Sequence, residues 1–135
     1  MNRTIEFKSL QDTIHVKKDN GTEVNYYIFQ EYEIHLNKIA PHSIQEWHYH
    51  TKIEETILIT KGVLNCRYLV NGEECHQLLK AGDMVRVKDS IHTFSNDTEE
   101  DVEFVVFRFV PTGEDKRELI KNDKCVVENR ETLQK

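Results

Sequence analysis

Glu46-Trp47-His48-Tyr49-His50-Thr51-Lys52-Ile53-Glu54-Glu55 decides how this chain is read, together with the apolar run Thr56 to Thr60 and the Lys61-Gly62 turn that follow it. Side chains of an extended backbone alternate between two faces, so His48 and His50 share one face and Trp47 and Tyr49 cover the other. A carboxylate follows within a few residues, at the entry of the next strand-like run. Imidazole and carboxylate groups carried by two neighbouring strands can converge on one divalent metal ion. His92, far downstream and opening another alternating segment, is a fourth candidate. The expectation is a metal site inside a β-structure.

The strand after the histidines decides between the two glutamates. Glu55, Ile57 and Ile59 share one parity, and Thr56, Leu58 and Thr60 share the other. The more apolar parity faces the interior, which puts Glu55 inside and Glu54 in solvent. Taken singly, His48 and His50 would read as surface histidines and His92 as a core histidine; it is their spacing with Glu55 and Gly62 that points to a metal. His15, His35, His42 and His76 have no such context and read as surface or structural residues.

Outward from this stretch the chain reads as about ten short strands separated by turns. Thr4 to Phe7 and Asp12 to Lys18 are predicted strands, and Asp19-Asn20-Gly21 is a turn. Val24 to Ile39 reads as two strands broken near Gln30-Glu31. Asn71-Gly72 joins a hairpin between Val63 to Val70 and Glu73 to Leu79, since both residues tolerate the positive φ of a tight turn. Met84 to Val87, His92 to Asn96 and Val102 to Val110 follow, the last so continuously apolar that burial on both faces is expected. Glu114 to Lys121 is the one expected helix, and a polar tail runs from about 122 to 135. The fold class is therefore all-β, a sandwich or barrel, as a single domain over 1–135 with its core at about 22–111.

Bulk composition narrows the function classes. At 135 residues one domain is expected, and 38% hydrophobic content suffices for a modest core. The net charge of −6 comes without a Lys/Arg cluster, which argues against a nucleic-acid or anionic-membrane surface. Three cysteines without a CxxC pair argue against a disulfide framework. Cys66 and Cys75 lie on paired hairpin strands and read as buried thiols. No 18-residue apolar run occurs, so no membrane helix is expected, and a reducing cytoplasm is the expected location.

His48-Tyr49-His50, four residues, Glu55, six residues, Gly62 resembles the first motif of the cupin superfamily. Gly82-Asp83-Met84-Val85-Arg86-Val87 through His92-Thr93-Phe94-Ser95-Asn96 resembles the second. The resemblance implies a double-stranded β-helix, or jelly-roll barrel, in which His48, His50, Glu55 and His92 are the metal ligands. Two places depart from the pattern: His42 stands where the first motif opens with glycine, and Lys88-Asp89-Ser90 replaces a Pro/Gly loop and is one residue shorter.

Three histidines and a carboxylate suit one divalent ion, Fe, Mn, Ni, Co or Zn, with room for a small molecule at the barrel mouth. The resemblance implies either a metal-dependent enzyme, dioxygenase-like or isomerase-like, on a small organic acid, polyol or sugar derivative, or a non-catalytic ligand-binding module. Tyr68, Arg86 and Arg108 are the candidate catalytic residues. The two arginines either face inward, toward an anionic substrate, or sit at strand edges with their charge reaching solvent. Family resemblance also implies a homodimer, for which Tyr26-Tyr27-Ile28-Phe29 could supply an interface strand, although a strand inside the sheet would look the same.

Overall fold

The computed structural model describes residues 4–127. Ten strands form two antiparallel sheets: β1 Ile14–Lys17, β2 Thr22–Ile28, β3 Tyr32–Ile39, β4 Ser43–Ile44, β5 Glu54–Lys61, β6 Val63–Val70, β7 Glu73–Lys80, β8 Met84–Arg86, β9 His92–Asn96 and β10 Val102–Phe109. One sheet runs β1-β2-β3-β10-β5-β8 and the other β4-β9-β6-β7. The strands cross between sheets in the order of a jelly roll, so the all-β double-stranded β-helix is the fold. Ile39, Ile57, Ile59, Leu64, Cys66, Leu79, Val87, Phe94, Val102, Phe104 and Val106 fill the space between the sheets.

Turn chemistry sets the connections. Asn71 and Gly72 both have positive φ, which matches the right-handed twist of the β6–β7 hairpin. Gly62, between β5 and β6, has φ +81, and a Cβ there would stand 2.9 Å from the Asp101 carbonyl oxygen. That oxygen belongs to the backbone entering β10 and cannot move aside. Gly62→Ala is therefore expected to cost about 2–3 kcal/mol, from left-handed strain plus displacement of β10, read as a lowered urea midpoint.

The two departures from the motifs keep the backbone that glycine would have given. His42 has φ 55 and Lys88 φ 52, so each non-glycine residue is held in the left-handed region. Around Lys88 the chain closes on itself, with the Ser90 amide and hydroxyl both donating to the Val87 carbonyl, at 3.1 and 2.6 Å.

Several expectations are corrected. Thr4 to Phe7 forms no strand: Ile5 and Phe7 are exposed, because no neighbouring strand pairs with their alternation. The segment of His48 and His50 is not a strand either but an extended loop with one bridge, His48 opposite His92. Trp47 and Tyr49 are exposed rather than packed. β10 buries only Val102, Phe104 and Val106, and the opposite parity, including Phe107, stays half exposed. The helix, α1, is shorter than expected, Arg117–Asn122, and residues 123–127 have no regular structure; the rest of the expected tail, 128–135, lies outside the described residues. Tyr26 to Ile28 lies in β2, where Tyr26 is paired by both β1 and β3 whereas Tyr27 and Ile28 are paired by β3 alone.

Candidate metal centre

Three histidines come together from different parts of the chain. His92 opens β9 and is fully buried, while His48 and His50 come from the loop before β5. The His48 and His92 backbones exchange two hydrogen bonds, each 2.9 Å, which fixes the loop against β9. Their ligand nitrogens and that of His50 lie within 4.8 Å of one another. Ring centroids are 4.5 Å apart for His48 and His92, 5.2 Å for His48 and His50, and 5.8 Å for His50 and His92.

Hydrogen bonds behind the rings set their orientation. His48 Nδ1–H donates to the Glu46 carbonyl at 2.8 Å, and His92 Nδ1–H to the Ser90 carbonyl at 2.9 Å. Donation through Nδ1 leaves the Nε2 lone pair facing the centre, which is how a metal-ligating imidazole is held. The Lys88-Asp89-Ser90 loop therefore aims His92. Nε2 of His50 and Nε2 of His92 are buried without a hydrogen-bond partner. Leaving a buried nitrogen unpaired costs about 1–3 kcal/mol, so two at one point call for a shared partner. A divalent ion satisfies both, and the donor set fits one.

Burial holds His50 and His92 below the ordinary histidine pKa; the carboxylate of Glu55 and the Ser90 carbonyl, respectively, work against it. Burial does the same to His35, opposed by Glu33. All three are thus neutral at neutral pH, the form that offers a lone pair. In the unfolded chain they protonate near 6.5, ahead of the folded state, so stability is full above that value. It is expected to fall as pH drops from about 6.5 through the lower folded-state values, and urea midpoints measured from pH 7.5 to 5 check this.

Glu55 is buried on the inward parity of β5 beside Ile57 and Ile59. It stands outside the tight triad, with Oε2 3.4 Å from His50 Nε2. The same Oε2 accepts from Arg108 Nε at 3.0 Å and Nη2 at 2.7 Å, and Arg108 is the register partner of Glu55 across β10 and β5. That leaves Oε1 as the oxygen free to act. Glu54 takes the outer parity but does not stand in solvent as expected: its side chain is 14% exposed and pairs with Arg86 at 2.8 Å.

A cavity of about 630 Å³ opens beside the histidines. Of the three candidate catalytic residues only Arg108 lines it. Arg86 faces outward opposite Thr56, because register alternation turns Val85 inward and its neighbour out. Tyr68 packs against the core on β6 instead. Sequence reasoning missed Tyr26, His35, Asn37 and Gln45, which also line the cavity. His35 is 3% exposed, donates through Nε2 to Glu33 at 2.8 Å, and stacks edge-on against Tyr26. The available signal was the parity of β3, where Glu33, His35 and Asn37 share a face with Ile39.

Asn96, the last residue of the second motif, is structural. Its Nδ2 donates to the carbonyls of Ile39 and Glu100, and its Oδ1 accepts from Thr98, so it knits the loop after β9. Burial pushes the Cys66 thiol up to about 11, which makes it unreactive; all three cysteines are free. None of the described helices is long and apolar enough to cross a membrane.

No curated protein matches the chain in sequence. Among solved structures, the chain is similar to the cupin domain of an XRE-family transcriptional regulator from Enterobacter cloacae, at 20% identity and TM-score 0.59, over 67% of this chain and 98% of that one. It is also similar to a sugar phosphate isomerase of the cupin superfamily from Silicibacter pomeroyi, at 17% identity and TM-score 0.62, over 78% and 76%. An oxalate oxidase matches at 17% identity and TM-score 0.62, over 77% of this chain and 59% of that one. At these identities the likeness is one of fold. The family profile described as Cupin domain matches residues 35–108, which runs from within β3 to within β10 and includes His48, His50 and His92; the chain belongs to the cupin-domain family.

Proposed function

We propose that the protein is a metal-dependent cupin in which His48, His50 and His92 hold one divalent ion, Fe, Mn, Ni, Co or Zn, with Glu55 as a fourth ligand through Oε1. The observation that carries this is the pair of buried, unpartnered Nε2 atoms on His50 and His92, aimed at the space shared with His48. Such an ion would supply Lewis-acid polarisation of a bound oxygen ligand, or dioxygen chemistry if it is iron. The chain's own contribution is orientation: backbone carbonyls hold the imidazoles, Arg108 holds Glu55, and the apolar wall of Ile57, Phe94, Phe104 and Val106 limits water in the cavity.

We propose an enzyme, dioxygenase-like or isomerase-like, acting on a small organic acid, polyol or sugar derivative. Support comes from the cavity beside the triad and from two structural neighbours, an oxalate oxidase and a sugar phosphate isomerase. Oxygen uptake by the Fe(II)-loaded protein with a panel of small acids and sugars tests the oxygenase form, and NMR detection of aldose–ketose exchange without oxygen uptake tests the isomerase form. Saturable binding with no turnover of any compound would support the second reading, a non-catalytic ligand-binding module.

Three free thiols favour a reducing compartment, and we propose the cytoplasm. We also propose a homodimer. Leu58, Met84, Tyr32 and Phe107 are exposed on the outer face of the six-stranded sheet, an apolar surface that a second copy would cover. Molar mass by light scattering checks it, and a monomer would refute it.

A further inference from the structure

The inner face of β3 reverses the usual pattern of a strand. Ile34 and Leu36 point to the outer face, whereas Glu33, His35 and Asn37 point into the barrel with Ile39. Register places them opposite Arg108, Val106 and Phe104 of β10, whose own inward parity is fixed by the buried Val106 and Phe104. Turning polar side chains inward costs free energy unless something pairs with them. Glu33 and His35 pair with each other, but Asn37 Oδ1 is buried with no hydrogen-bond partner.

Three side chains on this wall, His35, Gln45 and Asn37, each present an acceptor. His35 commits Nε2 to Glu33, which leaves the lone pair of Nδ1. Gln45 gives Nε2 to Thr22 Oγ1 at 3.5 Å, which leaves Oε1. Asn37 offers Oδ1. Cations on the lining are few: Arg108 is committed to Glu55, and Lys18 stands at the turn beside Asp19 and Asn20. A row of acceptors without a free guanidinium pairs with O–H donors and repels phosphate and carboxylate oxygens.

Resting on the metal-dependent reading above, we infer that Asn37, His35 and Gln45 form a hydroxyl-reading wall, so that the ligand is a small polyhydroxylated compound, an aldose or sugar acid carrying no phosphate. Its chelating end faces the histidines and its hydroxyl-bearing tail lies along β3. A cavity of about 630 Å³ takes such a molecule whole.

The test uses calorimetric titration of Co(II)-loaded protein with three probes: glycolate, which has the chelating head alone; D-gluconate, which adds the hydroxylated tail; and 6-phospho-D-gluconate. The expected result is D-gluconate binding about tenfold or more tighter than glycolate, and the phosphate giving no further gain. Asn37→Leu is expected to remove most of that advantage while leaving glycolate binding and Co(II) content unchanged, which also shows that the variant folds. Gln45→Met is expected to reduce it independently. D-gluconate no tighter than glycolate, tightest binding by the phosphate, or an Asn37→Leu variant identical to wild type would overturn the wall while the metal reading stands. A protein that takes up no Co(II) in parallel metal analysis would overturn both.

Discussion

Arg108→Leu is expected to destabilise the metal-free protein by about 3 kcal/mol, and added divalent metal is expected to restore more stability to this variant than it adds to wild type. Glu55 is 4% exposed, and the Arg108 guanidinium makes two contacts to its Oε2, at 3.0 and 2.7 Å. Removing one partner of a buried pair leaves an uncompensated buried charge, the costly case. The other polar group close to that oxygen among the described residues is His50 Nε2, neutral and 3.4 Å away. A divalent ion at the triad would give Glu55 a new counter-charge, so metal should matter more once the arginine is gone. Arg108→Lys, which keeps the charge and loses the fork, should fall between the two. Thermal melts with and without Ni(II) check this. An equal metal-induced shift in wild type and Arg108→Leu would remove Glu55 from the metal's surroundings.

His92→Leu is expected to lose metal affinity by about a hundredfold or more while keeping the stability of the metal-free protein within about 1 kcal/mol of wild type. The imidazole is fully buried against Phe94, and its Nε2 has no partner. Leucine of similar volume fills the site and removes an unpaired polar atom; the lost donation to the Ser90 carbonyl partly offsets that gain. His92→Ala would instead open a cavity and cost about 2–4 kcal/mol, mixing two effects. A stability held only by the leucine variant, together with lost metal, separates a ligand from a core histidine. Chelator competition and urea melts on both variants supply the readouts.

Legibility of this fold in its sequence followed the strength of each local signal. β5 was readable because Ile57 and Ile59 fix its inward parity, and Glu55 follows them inside. The β6–β7 hairpin was readable because Asn71-Gly72 meets the φ requirement of its turn. His35 and Asn37 were not, because β3 turns its more polar parity inward to line a cavity, against the rule that made β5 legible. Arg86 and Arg108 illustrate the same difficulty: both interrupt apolar strands, and only the register of β8 and β10 against β5 shows that one faces out and the other in. The extended loop of His48 and His50 looked like a strand because alternation cannot tell one paired backbone bridge from a ladder. Local pattern thus gave the elements and the triad, whereas the walls of the cavity depend on pairings between distant strands.

Metal analysis of protein purified without chelator, from wild type and from His50→Ala and His92→Leu, tests the central claim most directly. About one divalent ion per chain in wild type, with little in either variant, is the result expected from a triad sharing its Nε2 lone pairs. Unchanged metal content in both variants would contradict it.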